Sequence, residues 1–212
     1  MPTRAPIAPD PELAAALKSA VLRMREALEA QVDAGGKGVS PSDGALAGKA
    51  HAHALDVLVS QSFTAAERRV APKTATGFAS LAAVGSYGRG AVALRSDVDV
   101  RLLVRQKGER ANALADALLY PLWDAGLSVG HQVMTADEAL DLARDDLASA
   151  TSLLDLRQIA GDPSILIDLD RLASSLRRTR AFEQTFLRAR HFASSHVIFL
   201  HQALGTGSSR VR

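Results

Sequence analysis

The chain has 212 residues, a formal net charge of +2, no cysteine and 47% hydrophobic residues. This apolar content suffices for a folded core and excludes a disordered chain, while the lack of cysteine excludes disulfides and thiolate metal sites. No apolar run reaches the roughly 20 residues of a membrane helix and the proline-rich start has no apolar signal region, so we expect a cytoplasmic protein without a membrane partner.

Charge is distributed unevenly between the end of the chain and the rest. Residues 171–212 contain eight arginines and one acid, Glu183, which gives +7 and leaves −5 for the other residues. A basic segment of this kind can attract phosphates or an acidic partner. We interpret it as the solvent-facing charge of a helical segment, so nucleic acid is not an expected partner.

Apolar spacing predicts two helices near the start of the chain. Residues 1–10 are predicted to be a leader, and Asp10-Pro11 provides an N-cap followed by proline at the first helical position. Three- and four-residue spacing predicts a helix over 11–32 with an apolar face of Leu13, Leu17, Val21, Met24 and Leu28. After a loop through Gly44, a second helix over 46–70 is predicted to bury Leu55, Leu58, Val59 and Phe63.

The pattern then changes to that of β-strands. Apolar runs predict buried strands over 78–84, 98–104 and 127–134, with a helix over 109–123 between the last two. Thr135 and Glu138 match a capping box, and helices are predicted over 136–146, 148–160 and 164–178. Helices, a small mixed sheet and further helices together predict an α+β fold.

The residues suited to chemistry are Gly85-Ser86-Tyr87-Gly88-Arg89-Gly90 and, after six residues, Asp97-Val98-Asp99. Three glycines after a strand form a turn whose amides can approach phosphates closely, although their order differs from the dinucleotide and P-loop motifs. Strand alternation places both aspartates on one side, where two carboxylates can share metal ions. Oxygen ligands favour Mg²⁺ or Mn²⁺ over zinc. The alternative is a strand-entry turn in which Ser96 and Asp97 only cap and solvate.

Gly85-Ser86 followed by Asp97-x-Asp99 resembles the signature of the DNA polymerase beta-like nucleotidyltransferase superfamily. Within it, Gly-Ser-Tyr-Gly-Arg-Gly with Ser-Asp-Val-Asp-Val is similar to the N-terminal nucleotidyltransferase domain of bacterial protein-PII uridylyltransferases. Further similarity lies in residues 122–127, at Gly130-His131 and in residues 153–162. The resemblance covers about residues 46–165 and implies a small mixed-sheet nucleotidyltransferase core with flanking helices on both sides.

The resemblance also implies an activity and a set of site residues. Asp97 and Asp99 would be the catalytic residues and metal ligands, for Mg²⁺ or Mn²⁺. Gly85 and Ser86 would bind the nucleotide's terminal phosphates, assisted by Arg89. The implied reaction transfers UMP from UTP to a tyrosine hydroxyl of a PII-type nitrogen-signalling protein and releases pyrophosphate.

The sequence departs from this family pattern in several places. Superfamily members commonly carry a third carboxylate on a later strand, where this chain offers Ser128 and His131, with Asp124 just before. The chain has no His-Asp dipeptide for a uridylyl-removing hydrolase and no ligand-sensing region. We therefore predict a leader and N-terminal helix over 1–45, the nucleotidyltransferase core over 46–165, and a basic helical tail over 166–212 that is a truncated second domain.

Two alternative functions follow from these departures. The chain is either a catalytically silent nucleotide-binding fragment, or it transfers a nucleotide, with UTP, ATP or CTP as donor, to a small molecule or an RNA end. Arg157 is predicted either to reach a phosphate or to end a helix beside Gly161. The remaining histidines are predicted to be ordinary surface or core residues: His51, His53, His191, His196 and His201.

Overall fold

The computed structural model describes residues 11–34, 41–70 and 77–176, which form seven helices and four strands. Two helices come first, α1 (Pro11–Ala34) and α2 (Pro41–Val70), and the predicted mixed sheet follows. The other elements are β1 (Ala79–Ala83), α3 (Gly85–Gly88), β2 (Val98–Val104), α4 (Glu109–Asp124), β3 (Val129–Met134), α5 (Ala136–Asp145), α6 (Leu147–Leu154), β4 (Arg157–Gly161) and α7 (Pro163–Leu176). The predicted α+β class is confirmed.

The four strands form one mixed sheet in the order β3-β2-β1-β4. Strand β1 is antiparallel to both of its neighbours, whereas β2 and β3 are parallel and are connected by α4. A parallel connection needs such a crossover, because the chain must return to the same end of the sheet. Because β1 and β2 are antiparallel, the turn after β1 lies beside the start of β2.

One face of the sheet packs against α1, α2 and α4. The predicted faces of the first two helices are confirmed, since Leu17, Val21, Met24, Leu28, Leu55, Leu58, Val59 and Phe63 are all buried. Strand β2 supplies Val98, Val100 and Leu102 to the same core, which also takes Leu114, Leu118 and Leu122 from α4. This apolar burial holds the sheet rigid on one side.

The opposite face of the sheet is covered over only half of its area. At the C-terminal end of β2, Leu103 joins a second buried cluster with Met134, Ala139, Leu140, Ile165 and Leu169. At the N-terminal end of β2, the same face carries Asp99 and Arg101, and Gln132 lies beside them on β3. We call this uncovered part the open half of the sheet.

Two predicted boundaries were wrong. The helix predicted over 148–160 ends at Leu154 and is followed by edge strand β4, whose residues are half-buried or exposed and show no alternating pattern. The second helix begins at Pro41 rather than 46, because proline suits the first helical turn. The predicted capping box is confirmed, with Thr135 Oγ1 accepting from the Glu138 amide and Glu138 accepting from the Thr135 amide.

Several predictions fall outside the described residues. They concern the leader 1–10, residues 35–40 of the first loop, most of the basic tail, and His191, His196 and His201. The proposed division into three segments stays a prediction. No helix among the described residues has both the length and the apolar character needed to cross a membrane.

Candidate active site

The two aspartates lie at the entry to β2, where Asp99 belongs to the open half of the sheet. Asp97 immediately precedes the strand and Asp99 is its second residue, and both are exposed. Val98 and Val100 point into the opposite core, as the alternation predicted. The acids are therefore carried by a strand whose other face is fixed by apolar packing.

The Asp99 carboxylate lies between two glycines. A Cβ built on Gly85 would lie 3.7 Å from Asp99 Oδ2, and one built on Gly130 of β3 would overlap Oδ1. The Val84 amide also donates to the Asp99 carbonyl at 3.0 Å. The glycine-serine turn thus lies beside the acidic strand, although Gly85 and Asp99 are 14 positions apart in the sequence.

Electrostatics sets Asp99 apart from ordinary surface carboxylates. Partial burial raises the pKa of Asp99, the neighbouring charge of Asp97 raises it further, and Arg101 opposes the shift. Two like charges this close repel each other in the absence of a cation. A divalent cation would relieve that repulsion, so the pair suits the role predicted for it.

The oxygen ligands that the site offers suit Mg²⁺ better than a metal ion whose ligands all come from protein side chains. Among the described residues, no group of three His, Cys, Asp or Glu side chains could hold a metal ion. Mg²⁺ is usually bound by one or two carboxylates, completed by waters and substrate phosphates. Asp97 and Asp99 meet that requirement, while the assignment of the metal itself stays a prediction.

The glycine-rich segment forms a single helical turn above Asp99. Gly85 has φ +59°, a left-handed conformation that favours glycine, and the Arg89 amide closes the turn by donating to the Gly85 carbonyl at 3.0 Å. The first amides of a helix have no acceptor one turn earlier, so those at Gly85 and Ser86 are suited to phosphate oxygens. Ser86 is half-buried, and Tyr87 is fully buried and anchors the turn.

The structure gives the two predicted arginines other partners. Arg89 forms an ion pair with Asp155, at the end of α6. Arg157 lies at the start of β4 and donates to the carbonyls of Gly88 and Tyr87, while pairing with Asp56 of α2. The prediction that Arg157 ends a helix was wrong, because the residue begins β4 and binds both the glycine turn and Asp56.

The candidates for a third catalytic group do not join the acid pair. His131 is in register with Val100, so it faces away from Asp99, and its ring packs against Trp123 at a centroid distance of 5.6 Å. His131 therefore lies on the strand next to Asp99, but its side chain does not join the acid pair. Asp124 ends α4 as an exposed residue, and the Ser128 carbonyl accepts from the Val98 amide at 2.8 Å.

The other described histidines are ordinary residues, as predicted. His51 is buried and its Nδ1 lies 3.2 Å from the Val92 carbonyl. Burial lowers the pKa of His51. His53 is exposed on the same helix.

Arg101 was missed in the sequence. It lies on the open half of the sheet two residues after Asp99, and its guanidinium donates to Ser152 Oγ at 2.9 Å. Strand alternation already placed it on the face of Asp97 and Asp99. A cation two positions after Asp99, in a strand whose other residues are all apolar, was the signal that could have found it.

Comparison with known proteins supports the resemblance that the sequence motifs indicated. The chain is similar to bacterial bifunctional uridylyltransferase/uridylyl-removing enzymes. It is 45% identical over 91 residues to that of Streptomyces coelicolor, which covers 42% of this chain and 11% of the relative. The enzyme of Phenylobacterium zucineum is 44% identical over 91 residues, covering 42% and 10%, and that of Bordetella pertussis is 45% identical over 93 residues, covering 43% and 11%.

This similarity confirms the predicted resemblance to uridylyltransferases and agrees with the predicted enzyme class. The matched segment spans only about a tenth of the length of these curated relatives. No protein-family model matches the chain. The relatives' complete activities therefore enter only as proposals for this chain.

Proposed function

We propose that the chain is a metal-dependent nucleotidyltransferase that transfers UMP from UTP to a protein hydroxyl and releases pyrophosphate. The observation that carries the proposal is the position of the Asp99 carboxylate, 3.7 Å from where a Cβ on Gly85 would lie and beside the charge of Asp97. With this spacing the predicted metal-binding pair and the predicted phosphate-binding turn could act on one nucleotide. The similarity to uridylyltransferases favours UTP as the donor and a tyrosine of a PII-type nitrogen-regulating protein as the acceptor.

Each residue of the site has a separate task in this proposal. Asp97 and Asp99 would hold Mg²⁺ or Mn²⁺, which neutralises phosphate charge and orients the nucleotide when bound. The amides of Gly85 and Ser86 would bind the terminal phosphates. Arg89, paired with Asp155, would act at the edge of the turn.

The reaction is a displacement at the α-phosphorus. The acceptor oxygen forms a bond to that phosphorus, the bond to the oxygen bridging the α- and β-phosphates breaks, and pyrophosphate leaves. The hydroxyl proton is released to water. We assign no side chain of the described residues to its removal, because no third acid joins Asp97 and Asp99 in a metal-binding group.

The proposal is tested by label transfer from UTP. The protein is incubated with UTP labelled at the α-phosphate, Mg²⁺ and a PII-type protein, with ATP and CTP in parallel reactions. Asp97→Asn and Asp99→Asn should each reduce transfer by about 100-fold or more, because loss of even an outer-shell metal partner often costs 10- to 100-fold. Asp116→Asn, a change at an exposed acid of α4, serves as the matched control.

Each outcome has a defined meaning. Transfer that depends on both aspartates supports the proposal, and preference for ATP or CTP would correct the donor. Tight UTP binding without transfer to any acceptor would support a catalytically silent nucleotide-binding fragment. Transfer only to a small molecule or an RNA end would replace the proposed acceptor. A cytoplasmic location stays a prediction.

A further inference from the structure

Arg101 is a half-buried cation on the open half of the sheet. Its Cα lies in register with Gln132 of β3 and with Ala82 of β1, which is fully buried. Its side chain leaves the same face as Asp99. A half-buried charge loses part of its hydration, so it needs polar partners to be stable.

The partners present satisfy only part of the guanidinium. Its Nη2 donates to Ser152 Oγ at 2.9 Å. No carboxylate among residues 11–34, 41–70 and 77–176 forms an ion pair with Arg101 within 4.0 Å. A guanidinium has five N–H donors in a planar fork that matches phosphate geometry. Most of these donors are left for a ligand.

The neighbouring arginines are committed to other partners. Arg89 pairs with Asp155, and Arg157 pairs with Asp56. Of these three arginines around the site, only Arg101 forms no ion pair within 4.0 Å in the part of the chain that the structure describes, although the charges of Asp99 and Asp146 act on it. It is therefore the one best suited to bind an anionic ligand.

The Ser152 hydroxyl holds Arg101 in place. This hydroxyl accepts from Arg101 and donates to the Ser149 carbonyl at 2.8 Å, so it is fixed to α6. Helix α6 is itself capped by Asp146, which accepts from the Ser149 amide at 2.7 Å. The guanidinium is thus oriented before any ligand arrives, which reduces the entropy lost on binding.

We propose that Arg101 binds phosphate oxygens of the nucleoside triphosphate whose metal ions Asp97 and Asp99 hold. This inference rests on the proposed function and adds a binding residue to that site. Asp99 and the guanidinium of Arg101 leave one face of β2, and Asp97 immediately precedes that strand. A triphosphate on the open half of the sheet would meet the metal ligands at the entry to β2 and Arg101 further along it.

The test measures binding, so it does not depend on turnover. Dissociation constants of UTP, UMP and uridine are determined by calorimetry in the presence of Ca²⁺ for wild type, Arg101→Met and Arg101→Lys. Arg101→Met should weaken UTP binding by about tenfold or more and leave uridine binding unchanged, because only phosphates are contacted. Arg101→Lys should fall between, since it keeps the charge and loses the fork. An equal loss for UMP would assign the contact to the α-phosphate.

Two further variants make the result decisive. Arg171→Met, at an exposed position of α7, is the matched control and should bind UTP like wild type. Ser152→Ala should weaken UTP binding by a smaller factor, because it removes only the group that orients Arg101. If Arg101→Met does not fold, judged by thermal unfolding, Arg101→Lys and Ser152→Ala decide the question.

Failure of this inference differs from failure of the proposed function. Unchanged UTP affinity in Arg101→Met, or in both Arg101→Lys and Ser152→Ala when the first does not fold, would overturn the role of Arg101 and leave the transferase proposal intact. Equal weakening of uridine and UTP would also overturn it, because the contact would not be to phosphate. A wild-type protein that binds no nucleoside triphosphate would overturn both.

Discussion

The guanidinium of Arg157 binds the carboxylate of Asp56 through two hydrogen bonds, of 2.9 and 3.0 Å. The same group donates to the carbonyls of Gly88 at 3.2 Å and Tyr87 at 3.1 Å. One side chain therefore connects β4, α2 and the end of the glycine turn. The pair is partly buried, which limits screening by solvent and makes the loss of one partner costly.

Arg157→Ala should lower the free energy of unfolding by about 2 kcal/mol, because Asp56 and two carbonyls lose their donor. Urea denaturation measures this change. Arg144→Ala removes an exposed pair with Asp141 within one helix and should cost less than about 0.5 kcal/mol. Equal losses in the two variants would show that the clamp contributes nothing beyond an ordinary surface pair.

Gly130→Ala should weaken divalent-cation binding by about tenfold, because the added Cβ overlaps Asp99 Oδ1 and the carboxylate must move. Binding of Mn²⁺, followed by electron paramagnetic resonance, measures the effect. Gly48→Ala is the control, since its Cβ would find atoms only at ordinary contact distances, from 3.6 Å. Unchanged Mn²⁺ affinity in Gly130→Ala would mean that cation binding does not depend on the present position of the Asp99 carboxylate.

Asp99→Asn should raise the melting temperature of the metal-free protein at pH 7 by about 2 °C. The raised pKa of Asp99 means that the native state keeps this proton to higher pH than the unfolded chain does. The contribution of Asp99 to stability therefore falls as pH rises from its ordinary pKa of 3.8 through the raised value. The gain in Asp99→Asn should vanish at pH values below both.

Thermal unfolding across pH checks this expectation, with Asp116→Asn as the exposed-acid control. Added Mn²⁺ should raise the melting temperature of wild type and have a smaller effect on Asp99→Asn. A variant less stable than wild type at neutral pH would show that the Asp99 charge is favourable in the fold, contrary to the shift in its pKa.

Gly88→Ala should lower the free energy of unfolding by about 2 kcal/mol, because its Cβ would overlap the Asp155 carbonyl oxygen. Backbone on both sides of the contact would have to separate. Gly44→Ala is the matched control in α2, where a Cβ would meet nothing within 4 Å and the helix should gain up to about 1 kcal/mol. Chemical denaturation of both variants gives the comparison, and a tolerated Gly88→Ala would contradict the close approach.

Local patterns in the sequence predicted most of the fold. Strand β2 has the predicted bounds, 98–104, because its valines and leucines alternate with polar residues before the covered half begins. The capping box at Thr135 was predicted for the same reason, since its hydrogen bonds span only three residues. Features that depend on residues close together in the sequence could therefore be predicted without a structure.

Long-range contacts were not accessible in this way. Strand β4 was missed because it is stabilised by pairing with β1, while its own residues resemble the end of a helix. The role of Arg157 depends on Asp56, 101 positions earlier, and no local pattern indicates that pairing. The direction of the His131 side chain, away from Asp99, depends on the register of β3 against β2, which cannot be read from either strand alone.

The uneven covering of the sheet separates two tasks within a single strand. Val98, Val100 and Leu102 supply packing, whereas Asp99 and Arg101 leave the opposite face of the strand. Point substitutions at the polar positions can therefore change or abolish the chemistry while the architecture survives. A lineage built on this scaffold can lose catalysis, or acquire a new specificity, without passing through an unfolded ancestor.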